Sequence, residues 1–158
     1  MLFRSENVAL AITERDGRAG GMLRPAGARR AALDEAQGLL DRLGIAQEAA
    51  RPVAELPYGR QRLVEIAIAL GLKPSVLLLD EPAAGVPSTE TEIILSVIEN
   101  LPGDIAVLII EHDMDLVFRF AKKITVLVQG AILVEGTPAE IAADARVREV
   151  YLGERDHG

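Results

Sequence analysis

The chain has 158 residues, 49% of them hydrophobic and only 3% aromatic, enough for one globular domain with an aliphatic core. Its formal net charge of -7 argues against nucleic acid as a main partner, because a phosphate backbone needs a basic footprint. Without cysteine there is neither a disulfide framework nor a thiolate metal site; with no signal-peptide pattern at residues 1–7 and no apolar run of membrane-spanning length, cytosolic residence without membrane insertion is expected.

Residues 13–30 are rich in Gly, Arg and Ala with little apolar periodicity, which predicts a surface loop or a loosely helical excursion. The residues before Gly44 are accordingly expected to be the least ordered and least buried of the chain. Leu33, Ala36, Leu40 and Leu43 fall at helical spacing and predict a helix over about residues 31–43, stopped by Gly44. A turn at Leu56-Pro57-Tyr58-Gly59-Arg60-Gln61 feeds a second helix with Leu63, Ile66, Ala67 and Leu70 on one face.

Val76 to Leu79 is a continuous apolar run bounded by Pro74 and Asp80-Glu81, read as a buried parallel strand. Ser88 is placed to cap a helix with Glu90 and Glu92 in its first turn and Ile94, Val97, Ile98 and Leu101 inward. A second buried strand runs from Ile105 to Ile110 and ends at Glu111-His112-Asp113, where Asp113 caps a further helix. Strand, helix, strand, helix predicts parallel α/β, with the ends of both strands at one edge of the sheet. Residues 124–128 and 131–135, joined at Gln129-Gly130, read as a hairpin closing that sheet, and Thr137-Pro138-Ala139-Glu140 as a capping box opening a terminal helical region.

Ligands of parallel α/β sheets bind at the C-terminal ends of the strands, where the sequence puts its carboxylates. Adjacent strand residues face opposite ways, so Asp80 is placed to hold Mg2+ through water while Glu81 faces an attacking water, as phosphoryl transfer needs. The same two residues would equally serve as solvated acids ending a strand. His112 ends a buried strand and is either a structural histidine or a group that contacts a terminal phosphate or the attacking water. His157, in the polar tail, carries no such context. The turn at residues 56–60 precedes a helix whose N-terminus offers N–H groups to an anion, although alone it would pass for an ordinary turn.

In order and spacing, LPYGRQRLVEIAIAL, KPSVLLLDEPAAGV and IIEHD resemble the signature motif, Walker B motif and switch histidine of ABC transporter ATPases. PYGRQRLVEIAIAL, DEPAAG, IIEHDMDLV, GAILVEGTPAEI and VREVYLGE narrow the resemblance to ATP-binding subunits of branched-chain amino acid importers. The resemblance implies a partial P-loop ATPase fold. Residues 1–72 would be a helical subdomain with the signature turn and helix, and residues 73–158 the C-terminal part of the RecA-like core. It further implies Mg2+ at Asp80, a catalytic base or water-positioning group at Glu81 and γ-phosphate sensing at His112. Leu56, Pro57, Tyr58, Gly59, Arg60 and Gln61 would contact the ATP of the opposite subunit, with Gly85, Val86 and Pro87 in the D-loop.

Three departures bear on activity. Pro57 stands where the signature usually has serine, and Arg60, a cation that could compensate, where it has glutamine. Pro87 replaces the usual polar D-loop residue. The phosphate-gripping pattern G-x-x-x-x-G-K-S/T is absent, and the lysines, Lys73, Lys122 and Lys123, lie in no such setting. The expectation is therefore a C-terminal portion of an importer ATPase, inactive by itself. It would work with ATP and Mg2+ in the complete domain, beside a second ATP-binding subunit and permease subunits at the cytoplasmic face of the inner membrane. A non-catalytic module docking a permease or an intact ATPase, or one half of a split ABC-type ATPase, remain the alternatives.

Overall fold

The computed structural model describes residues 4–17, 26–48 and 52–152. The chain forms two compact units, Met1–Ile110 and Glu111–Gly158. In the first, helices α1 (Arg4–Arg15), α2 (Ala26–Arg42) and α3 (Tyr58–Gly71) pack on one another, followed by β1 (Val76–Asp80), α4 (Ser88–Glu99) and β2 (Ala106–Ile110).

The core corrects the expectation for residues before Gly44. Val8 and Ile12 of α1 and Ala36 and Leu40 of α2 are completely or almost completely buried, against Leu63, Val64 and Ala67 of α3. Helix α2 begins at Ala26 rather than near residue 31, because the Ala and Arg of its first turns are strong helix formers that outweigh Gly27. Helix α1 was not read from the sequence, since only Val8, Ala9 and Ile12 make its inner stripe. The centre of the Arg/Gly-rich stretch, residues 18–25, lies outside the described residues.

Arg15 ties the three helices. Its guanidinium donates to Glu35 Oε1 and Oε2 at 2.8 and 2.9 Å and to the carbonyl of Gly71 at 2.9 Å, near the C-terminus of α3. The Arg15 hydrogen bonds, helped by Lys73 at 3.3 Å, hold the Glu35 carboxyl down at about 2. Beside this clamp α1 and α3 approach closely: a Cβ at Gly71 would lie 3.2 Å from Ile12 Cγ1.

Strands β1 and β2 are parallel, in register from Val76↔Ala106 to Asp80↔Ile110, as the sequence predicts. Burial is where that expectation is corrected. Leu79 and Ile109 pack against the helical core and Leu77 is buried, but Leu78, Leu108 and Ile110 are 69%, 58% and 59% exposed. Helices α3 and α4 thus cover one face of a strand pair whose sequence is apolar on both. Pro87, not Ser88, occupies the cap position of α4, and Ser88 is its first residue. Of the expected inner residues of α4, Ile94 and Ile98 are buried and Leu101 falls beyond its end.

The second unit contains α5 (Met114–Phe120), the antiparallel hairpin β3 (Ile124–Val128) and β4 (Ala131–Gly136), α6 (Pro138–Ala143), α7 (Ala145–Val147) and a final π-helical turn, Arg148–Leu152. Asp113 caps α5 by accepting from the amides of Asp115 and Leu116 at 3.0 and 3.4 Å. Thr137 and Glu140 form the expected capping box. Gln129 and Gly130 both take positive φ, 50° and 79°, as a two-residue hairpin turn requires. The hairpin is a sheet of its own rather than an addition to β1 and β2, and its inner face packs Ile124 and Val126 on Ile141 and Val147.

Leu63→Ala should lower the unfolding free energy by about 3 kcal/mol, whereas Leu78→Ala should cost less than ~1 kcal/mol, both read from urea titrations. Because Glu35 has a depressed carboxyl pKa, its contribution is present above its ordinary 4.5 and fades as pH falls toward about 2. At this solvent exposure Glu35→Gln should cost about 1 kcal/mol at neutral pH. The difference from the native chain should shrink through that acid window in denaturation curves.

Candidate functional site

The C-terminal end of β1 delivers the carboxylates. Asp80 is the last residue of the strand, paired with Ile110, and is exposed. Glu81 follows with φ of 43°, a left-handed backbone that a non-glycine residue adopts at a cost of order 1 kcal/mol, pinned by its N–H donating to the Ile110 carbonyl at 2.9 Å. Glu81 therefore lies outside the strand in a left-handed conformation, so strand alternation does not extend to it. From Glu81 the chain turns through residues 82–85, with Gly85 at φ of 70° supplying the conformation that L side chains resist, into Val86, Pro87 and α4. His112 is exposed and belongs to the second unit, two residues after β2 ends.

The turn at residues 56–61 lies in the first unit with the loop at residues 85–87. Leu56 is buried, Pro57 is exposed at the cap position of α3, and Tyr58 is 45% exposed. Pro57 has no side-chain acceptor for the first amides of α3, and its carbonyl receives the amides of Arg60 and Gln61 at 3.0 and 3.1 Å. The Gln61 side chain folds back onto the Leu56 carbonyl at 2.9 Å. Arg60, a cation that could compensate for the missing serine, donates to the Gly44 carbonyl at 3.0 Å, just past the end of α2. The Tyr58 ring carries Arg62 on its face, 5.1 Å from ring centroid to guanidinium carbon, and Arg62 Nη2 also donates to the Tyr58 hydroxyl at 2.8 Å.

Gly59 is buried, and its N–H donates to Glu90 Oε2 at 3.0 Å. A Cβ there would overlap that carboxylate and lie 3.0 Å from Val86 Cγ1. A Cβ at Gly85 would lie 3.6 Å from the Tyr58 ring. The structure thus brings Tyr58 and Gly59 against Gly85 and Val86. Sequence reasoning missed Glu90 at this junction, because a first-turn glutamate reads as a dipole partner for its own helix and nothing in its spacing points to residue 59.

No cluster of His, Cys, Asp or Glu among the described residues is arranged to hold a metal ion unaided. Asp80, exposed at the strand end, suits an Mg2+ that arrives with phosphates, since that ion is commonly held by one or two carboxylates plus phosphate and water. Two of the three lysines are paired within the chain, Lys73 with Glu35 and Lys123 with Glu135 at 2.7 Å.

Comparison with known proteins accords with this geometry. The ABC transporter family model matches residues 3–84, more than half of the chain, and the model described as branched-chain amino acid ATP-binding cassette transporter matches residues 131–157. The high-affinity branched-chain amino acid transport ATP-binding protein LivG of Salmonella typhimurium is 42% identical, over 85% of this chain and 54% of its own length. The corresponding BraF protein of Pseudomonas aeruginosa is 40% identical, over 79% of this chain and 50% of its own. The solved ADP conformation of MJ1267, an ATP-binding cassette of an ABC transporter, superposes with a TM-score of 0.74 at 28% identity, over 96% of this chain and 63% of that one. The chain spans about half the length of the curated relatives it matches. It belongs to the ABC transporter family, with its likeness there to ATP-binding subunits of the branched-chain amino acid type.

Proposed function

We propose that this chain is the signature-bearing and carboxylate-bearing part of the ATP-hydrolysing subunit of an ABC importer for branched-chain amino acids, and that it turns over ATP only when a P-loop-bearing part packs against it. The observation that carries this reading is the parallel pair β1 and β2 ending in Asp80 and the left-handed Glu81. Parallel sheets are ordinarily covered on both faces, and the exposed Leu78, Leu108 and Ile110 form the surface on which the P-loop part packs. The solute follows from the likeness to LivG and BraF.

In this reading residues 1–72 act as the helical subdomain and residues 73–158 as the C-terminal part of the catalytic core. Asp80 holds the nucleotide's Mg2+, Glu81 positions the attacking water and His112 senses the terminal phosphate. Residues 56–61 receive the ATP of a second ATP-binding subunit, and residues 85–87 form the D-loop between the two sites. The assembled pair works with permease subunits at the cytoplasmic face of the membrane, and no described helix is long and apolar enough to cross it.

ATP's charge lies on its phosphates, and this chain offers them no glycine-rich nest with its lysine. Alone it should bind Mg-ATP no better than about millimolar by calorimetry and release no phosphate. Mixed with a separately expressed P-loop segment of LivG, it should regain turnover, and Glu81→Gln should reduce that turnover by at least about a hundredfold. Micromolar binding or Glu81-dependent turnover by the chain alone overturns the proposal. So does full turnover of the mixture with Leu78→Lys and Ile110→Lys, which should block docking on the exposed face.

A further inference from the structure

The start of α3 is capped from another helix. Its cap residue, Pro57, has neither a side-chain acceptor nor an N–H, so the amides of the first turn need an acceptor from elsewhere. Glu90 supplies one across 31 residues, its Oε2 accepting from Gly59 N–H at 3.0 Å in a partly buried contact. The donor has to be glycine, because any Cβ at residue 59 would occupy the space of the Glu90 carboxylate.

Glu90 is itself rooted in the loop at residues 85–87. Its amide donates to the Pro87 carbonyl at 2.8 Å. The next residue, Thr91, reaches the Val86 and Pro87 carbonyls with its hydroxyl at 3.4 and 3.3 Å. The loop is held at its other side by Val86 N–H donating to the Ala83 carbonyl at 3.2 Å. One carboxylate therefore connects the first turn of α3 to the segment joining Glu81 to α4.

We propose that Glu90 is a positioning residue that yokes the signature turn to the D-loop, so that the two move as one piece. This rests on the assignment of those segments under Proposed function, but the physical claim concerns this chain alone. Gly59 N–H is held by a charged acceptor, a stronger bond than a neutral one, and the acceptor's backbone is the end of the loop. Loss of the carboxylate frees the turn and the loop together while α3 and α4 keep their buried faces.

Amide hydrogen exchange in the full chain tests this. In Glu90→Ala the amides of Gly59 and Val86 should both exchange at least about tenfold faster, with those of Leu63 and Ile94 in the helix interiors unchanged. Glu90→Gln, which keeps a shorter-lived acceptor, should restore part of the protection at both. Faster exchange at Gly59 without a change at Val86 would reduce Glu90 to a simple cap, and unchanged exchange at Gly59 would remove the contact; either overturns the proposal. If Glu90→Ala loosens Leu63 and Ile94 as well, the comparison of Gly59 with Val86 in Glu90→Gln decides. In the mixture with the P-loop segment, Glu90→Ala should lower kcat about tenfold with a smaller change in KM, and Glu90→Gln should recover most of it. A change in KM alone would also overturn the yoke. A mixture inactive with Glu90 intact refutes the ATPase reading instead, and the exchange result still decides the role of Glu90.

Discussion

The parallel pairing of β1 and β2 is the constraint on which the rest of the first unit depends. Two parallel neighbours cannot be joined by a tight turn, so the chain between Asp80 and Ala106 must cross back, and α4 is that crossing. Its inner stripe, Ile94 and Ile98, joins the cluster built by α1, α2 and α3, which fixes which face of the strand pair is covered. The pairing also shapes the end of β1: the Ile110 carbonyl at the end of β2 is the acceptor that holds Glu81 in its left-handed conformation. Where α4 begins is then set by the loop leaving Glu81, and with it the position of Glu90 under the start of α3.

Elements that declare themselves through local chemistry were legible in the sequence. Asp113, the Thr137 and Glu140 box and the Gln129-Gly130 turn each act within a few residues, so their spacing is their signature. The strand pair was legible because apolar runs of this length flanking an amphipathic helix have few other solutions. Helix α1 was not. Its stripe is short, its other faces are polar, and what stabilises it is tertiary: a place against α2 and α3, with Arg15 clamped on Glu35 and the Gly71 carbonyl.

The uncovered face of β1 and β2 shows a second limit of pattern reading. Continuous apolar runs predict burial on both sides, and Leu78, Leu108 and Ile110 satisfy the pattern in sequence while remaining exposed in the structure. Periodicity records what a segment is suited to contact, not whether the contact is made. In the candidate site the same distinction separates residue type from role. Asp80 and Glu81 were readable as strand-end acids, but the φ of Glu81 and the bond of Arg60 to the Gly44 carbonyl depend on partners far away in sequence.

Electrostatics joins these points. A chain of net charge -7 that presents Asp80 and Glu81 at a strand end repels a polyanion unless cations intervene, and six of the cations among the described residues are engaged within the chain. Arg15 and Lys73 serve Glu35, Lys123 serves Glu135, Arg146 serves Asp144, Arg60 serves a helix end and Arg62 is bound to Tyr58 and Glu65. Even the amide at Gly59, a natural seat for an anion at a helix start, is taken by a carboxylate of the same chain. On the proposed function, the charge of a bound phosphate would be neutralised by Mg2+ and by a phosphate-gripping loop that this sequence does not contain. The labour is divided accordingly under that proposal, one part gripping the nucleotide and this part supplying Asp80 and Glu81.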